Sequence, residues 1–124
     1  MSEPQTRVLI VDDQFLIAEL WSIHVENMGL TVCGRAATAE QAIDLAQKHR
    51  PAIVLMDLRL QGEKDGVDAA IVIHELVGSK IIFVTGSKEP KTVTRIQLGY
   101  PTAVLFKPVS DRDLQAAIRN ALPQ

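Results

Sequence analysis

Asp12, Asp13, Asp57, Thr85 and Lys107 stand at the ends of four short apolar runs, VLIV at 8–11, IVLM at 53–56, IIFV at 81–84 and AVLF at 103–106. If those runs are neighbouring parallel strands about 4.8 Å apart, their ends form a row that side chains can bridge. Carboxylates about 5 Å apart repel by roughly 3 kcal/mol per pair at an effective dielectric near 20, so three of them call for a counter-ion or for raised pKa values. Magnesium suits such a cluster: it takes few protein carboxylates and leaves positions for phosphate oxygens. The chemistry that follows is phosphoryl transfer, with Asp57 as the nucleophile that becomes an acyl phosphate and with Lys107 and Thr85 on the transferred oxygens. Each residue taken singly is an ordinary polar strand terminator. Four ends with complementary roles are a constellation.

Such a site needs a particular scaffold. Apolar runs alternate five times with segments of helical spacing, which predicts an α/β domain: a doubly wound, flavodoxin-like three-layer sandwich with a parallel five-stranded sheet. In the order 2-1-3-4-5, strand order reverses between the first and third strands, where ligands of such sheets bind, and Asp12, Asp13 and Asp57 meet there. The strands are placed at Arg7–Val11, Thr31–Arg35, Ile53–Met56, Ile81–Val84 and Ala103–Phe106, the second being weaker and assigned to an edge. Thr38 with Gln41 and Ser110 with Asp113 have capping-box spacing. The first helix is given a buried face of Ile17, Leu20, Trp21, His24 and Met28, ending at Gly29, and the last a face of Leu114, Ala117, Ile118 and Ala121.

Composition narrows the class. The chain has 124 residues, the size of one domain, read as a single unit over 1–124 with a core at about 7–122 and no output domain. A formal charge of −2 offers no basic stripe to a nucleic acid. The start from Met1 to Arg7 is polar, and no apolar run approaches the roughly 20 residues that span a bilayer, so a cytoplasmic location and no membrane partner are expected. Cys33 is a lone cysteine in an apolar stretch and is read as core packing. His24, His49 and His74 match no zinc spacing and are read as structural.

The set Asp12-Asp13, Met56-Asp57, Thr85-Gly86 and Lys107-Pro108 resembles the receiver domain of two-component response regulators over nearly the whole chain. The resemblance implies a phosphoprotein rather than an enzyme. Asp57 would take a phosphoryl group from a histidine kinase or histidine phosphotransfer protein. Magnesium would sit on Asp13, Asp57 and the backbone carbonyl of Arg59, with Asp12 reaching it partly through water. It also implies that Thr85 moves toward the phosphate, that Lys107 pairs with it, and that Lys107-Pro108 is cis, against about 5% for X-Pro bonds in general. A downstream protein would read the change on the fourth helix, fifth strand and fifth helix. Arg59 and Ser87 occupy positions that influence the life of the acyl phosphate in such domains.

The chain departs from that pattern in places. Val104 stands where many receivers carry a switching aromatic, and Tyr100, just before Pro101, is read chiefly as a structural or surface residue. Phe83-Val84-Thr85-Gly86 is similar to a subgroup of stand-alone receivers from alphaproteobacterial stress signalling. The loop from Arg59 to Gly66 lacks the frequent Met-Pro pair and is expected to be mobile. Phe15, Leu16 and Ile23 lie off the main buried stripe of the first helix, so Phe15 or Leu16 is assigned to donor docking. Four competing functions are set against the switch. A phosphate sink or a non-phosphorylated adaptor would use the same fold. A dehalogenase-like phosphohydrolase lacks its Asp-x-Asp after the first strand, and a flavin protein lacks its phosphate loop.

Overall fold

A computed structural model describes residues 6–122. The residues at 1–5 and 123–124, including most of the polar start, lie outside that range. Ten elements alternate: β1 (Arg7–Val11), α1 (Phe15–Asn27), β2 (Thr31–Ala36), α2 (Ala39–His49), β3 (Ile53–Asp57), α3 (Gly66–Leu76), β4 (Lys80–Thr85), α4 (Pro90–Gln97), β5 (Pro101–Phe106) and α5 (Asp111–Ala121). The strands pair in parallel in the order β2-β1-β3-β4-β5, as the doubly wound reading requires.

Both faces of the sheet are covered. Leu9, Val11, Val54, Met56, Ile81 and Phe83 pack under α2, α3 and α4, while Val8, Ile10, Ile53, Leu55, Ile82 and Val84 pack under α1 and α5. Neighbours in sequence therefore point into opposite cores, which is why the inner strands are continuous apolar runs. β2 lies at an edge and is only partly covered, with a bulge opposite Val8 and Leu9.

The helix starts follow from local hydrogen bonds. Thr38 Oγ1 accepts the Gln41 amide at 3.1 Å, and Gln41 Oε1 accepts the Ala37 amide at 2.9 Å; Ser110 Oγ accepts the Asp113 amide at 3.0 Å. α3 carries a reciprocal capping box that the sequence reading did not include: Asp65 Oδ1 accepts the Asp68 amide, and Asp68 Oδ2 accepts the Asp65 amide. Gly29, at φ 80°, stops α1 as expected.

The phase assigned to α1 needs correction. Its buried residues are Ala18, Trp21, Ser22 and Val25, whereas Leu20 is 48% exposed. At 100° per residue the buried face is turned by about a quarter of a rotation from the predicted one. Small Ala18 and Ser22 let the helix sit close to the sheet, and the Ser22 hydroxyl donates to the Ala18 carbonyl at 2.8 Å, which removes the cost of burying it. α5 has the expected inner face, with Leu114, Ile118 and Ala121 buried.

Candidate functional site

The carboxyl ends of the strands bring the sequence-assigned residues together. Asp57 is the last residue of β3 and Thr85 the last of β4; Asp12 and Asp13 follow β1, and Lys107 follows β5. One carboxylate oxygen from each of Asp12, Asp13 and Asp57 lies within 4.8 Å of the others, a spacing that could hold a metal ion. Asp12 and Asp57 are buried. Gln14 donates its amide to Asp12 Oδ1 at 2.8 Å, and Asp12 Oδ2 is buried with no hydrogen-bond partner. A buried, unsatisfied carboxylate oxygen facing two further carboxylates fits a cation ligand.

Lys107 is the ammonium of this cluster. Its Nζ lies 3.3 Å from Asp57 Oδ1 and 3.6 Å from Asp12 Oδ2, and 5.8 Å from the centre of the Trp21 ring, which packs it from α1. The Lys107 amide donates to the Thr85 carbonyl at 2.8 Å, continuing the β4–β5 ladder, and the Lys107-Pro108 peptide is cis. One ammonium does not neutralise three carboxylates. Burial raises the pKa of Asp57 from 3.8 to about 6, the nearby Asp12 adds to the rise and Asp13 contributes less, while Lys107 opposes it.

Thr85 lines the same space, and its hydroxyl is engaged by the following turn. Ser87 donates its amide to Thr85 Oγ1 at 3.1 Å, and the Ser87 and Thr92 hydroxyls lie 3.1 Å apart. A cavity of about 580 Å³ opens over Asp13, Asp57, Thr85 and Lys107, with Arg59 and Lys88 at its margin.

Several residues fall elsewhere or were not anticipated. Tyr100 stands just before β5, by the end of that strand away from Lys107, and stacks on His74 with ring centres 3.9 Å apart, which is a structural contact and not one beside Lys107. Val104 packs against the α2–α3–α4 core. The loop after β3 is held at two points: Gln61 pairs with the turn after β2, and the Gly66 amide donates to the Leu58 carbonyl at 2.7 Å. The contact of Trp21 with Lys107 joins distant segments and leaves no trace in local spacing, whereas the Ser87–Thr92 link spans only the turn into α4.

The chain is similar to known proteins. PdtaR, a transcriptional regulatory protein of Mycobacterium tuberculosis, is 33% identical over 116 residues, covering 94% of the chain and 56% of the relative. The phyllosphere-induced regulator PhyR of Methylorubrum extorquens is 30% identical over 118 residues, covering 94% and 43%. The chain thus spans about half the length of these curated relatives. Among solved structures, the signal receiver domain of a modulated diguanylate cyclase from Desulfovibrio desulfuricans G20 superposes with a TM-score of 0.88 at 35% identity, covering 95% of the chain and 94% of that domain. The model of the response regulator receiver domain matches residues 8–119, and the chain belongs to that family.

Proposed function

We propose that the chain is a magnesium-dependent phosphoacceptor switch in which Asp57 receives a phosphoryl group from a histidine kinase or a histidine phosphotransfer protein. The observation that supports this most is the grouping of Asp57 with the Asp12 and Asp13 carboxylates and the Lys107 ammonium, at a cavity that Thr85 also lines. With a pKa near 6, Asp57 is mainly the anion at neutral pH and is available as a nucleophile. Its oxygen attacks phosphorus while the bond from phosphorus to the donor imidazole nitrogen breaks. That nitrogen keeps the electron pair, and the imidazole leaves neutral because its other nitrogen carries a proton.

Asp12, Asp13, Asp57 and the Arg59 carbonyl would hold the magnesium ion, which neutralises phosphoryl charge when bound. Lys107 gives up its pairing with Asp57 Oδ1 to meet the new oxygens. Thr85 turns its hydroxyl toward them and withdraws the acceptor that the Ser87 amide uses. A downstream protein reads the resulting change around α4, β5 and α5. The chain acts only on its own aspartate and is not an enzyme toward other substrates.

The donor is assigned to the surface of α1 beside the cavity. Phe15 and Leu16 are 70% and 78% exposed, and Leu20 and Ile23 extend the apolar stripe along the same helix. Intact mass of the chain after incubation with acetyl phosphate and magnesium tests the reading: one added phosphoryl group is expected in the native chain and none in Asp57→Asn. No added mass in the native chain would overturn it and favour a non-phosphorylated adaptor.

A further inference from the structure

The N-terminus of α3 is pressed against the backbone of the acceptor. Gly66 is buried, and a Cβ built on it would collide with the Asp57 carbonyl oxygen and lie 2.9 Å from Met56 Cγ. Its amide closes the loop that carries Arg59 by donating to the Leu58 carbonyl. Where α3 begins therefore decides where the Asp57 and Arg59 main chain lies.

Arg95, from α4, grips that beginning. Its Nε donates to Asp65 Oδ2 at 2.7 Å, and one terminal nitrogen donates to Asp65 Oδ1 at 2.8 Å and to Asp68 Oδ1 at 3.2 Å. Burial raises the pKa of the Asp65 carboxyl, yet the hydrogen bonds from Arg95 and from the cap outweigh it and leave the group below its usual range. Asp65 and Asp68 already satisfy each other's amides, so Arg95 is not needed to cap the helix. What it adds is a positive charge shared by two adjacent carboxylates and a tie between α3 and α4, through a fork that a lysine cannot reproduce. At its other end α4 meets the site again, through Thr92, Ser87 and the Thr85 hydroxyl.

We propose that Arg95 is a positioning residue for metal binding and phosphoryl acceptance, acting from α4 through the start of α3 on the backbone that carries Asp57 and Arg59. The proposal rests on the phosphoacceptor reading given above. Calorimetric titration with magnesium and the rate of mass gain with acetyl phosphate, both on the full chain, test it. Arg95→Met is expected to weaken magnesium binding by about threefold to tenfold, less than the loss typical of groups bonded directly to a metal ligand, and to slow phosphorylation in step. Arg95→Lys falls between it and the native chain.

A folded Arg95→Met chain with native magnesium affinity and native rate would overturn the proposal, even with a lowered melting temperature, because Arg95 would then serve stability alone. If Arg95→Met does not fold, Asp65→Asn is judged by the same two measurements, since it keeps an oxygen for the Asp68 amide and loses the charge that Arg95 binds. A native chain that neither binds magnesium nor gains mass overturns the phosphoacceptor reading and this proposal with it, an outcome distinct from a responsive native chain and an equally responsive variant.

Discussion

Asp57 carries an electrostatic cost that its proposed role demands. Its pKa near 6 in the folded, metal-free protein, against 3.8 as the ordinary value, means that the folded state binds the proton more tightly than the unfolded chain. Stability from this group is therefore fully present below about pH 4, lost as pH rises through about 6, and absent at pH 7. The shift corresponds to at most about 3 kcal/mol, reduced to roughly 1–2 kcal/mol by solvent at the cavity mouth. Asp57→Asn, neutral at every pH, is thus expected to be more stable than the native chain by about 1–2 kcal/mol at pH 7 without metal, and by close to nothing below pH 4. Urea unfolding at the two pH values checks this. An equal difference at both would show that packing, not charge, separates the two proteins.

At the scale of elements, α1 shows both what the sequence reveals and what it hides. The inner strands were legible because burial on both faces forces continuous apolar runs, and the site residues because parallel strands deliver their ends to one edge. The face of α1 was not, since a helix apolar on most sides has no phase until it is packed; Ala18 and Ser22 turned inward where Leu20 had been expected. The cap of α3 escaped for a different reason: Asp65 and Asp68 take the place of the more familiar Ser or Thr with Glu or Gln, and Arg95, which completes the group, comes from another helix. The corrected phase adds Leu20 to the exposed stripe of Phe15, Leu16 and Ile23. Leu16→Ser removes little buried area, so unfolding is expected to change by less than about 0.5 kcal/mol. Phosphotransfer from a histidine donor is expected to slow about tenfold, while the rate with acetyl phosphate, which needs no docking surface, stays native. Equal rates from the protein donor would remove α1 from the docking surface.

For the molecule as a whole, the site is the part of the fold where stability has been exchanged for binding. Two apolar cores hold the sheet from both sides, yet the edge that joins them carries buried Asp12 and Asp57, an unsatisfied Asp12 oxygen and one shared ammonium. A ligand that binds only the assembled edge stabilises the entire domain, because the three carboxylates meet only when β1 and β3 are paired. At a magnesium concentration ten times the dissociation constant, the gain is about 1.4 kcal/mol, or about 5 °C in melting temperature for a domain of this length. Asp13→Asn is expected to lose most of that gain while changing the metal-free melting temperature little, since Asp13 is only partly buried. Scanning calorimetry with magnesium and with a chelator separates the two effects. A magnesium-dependent rise that survives in Asp13→Asn and in Asp57→Asn would place the ion away from this edge, because no other described group of three such side chains offers it a comparable site.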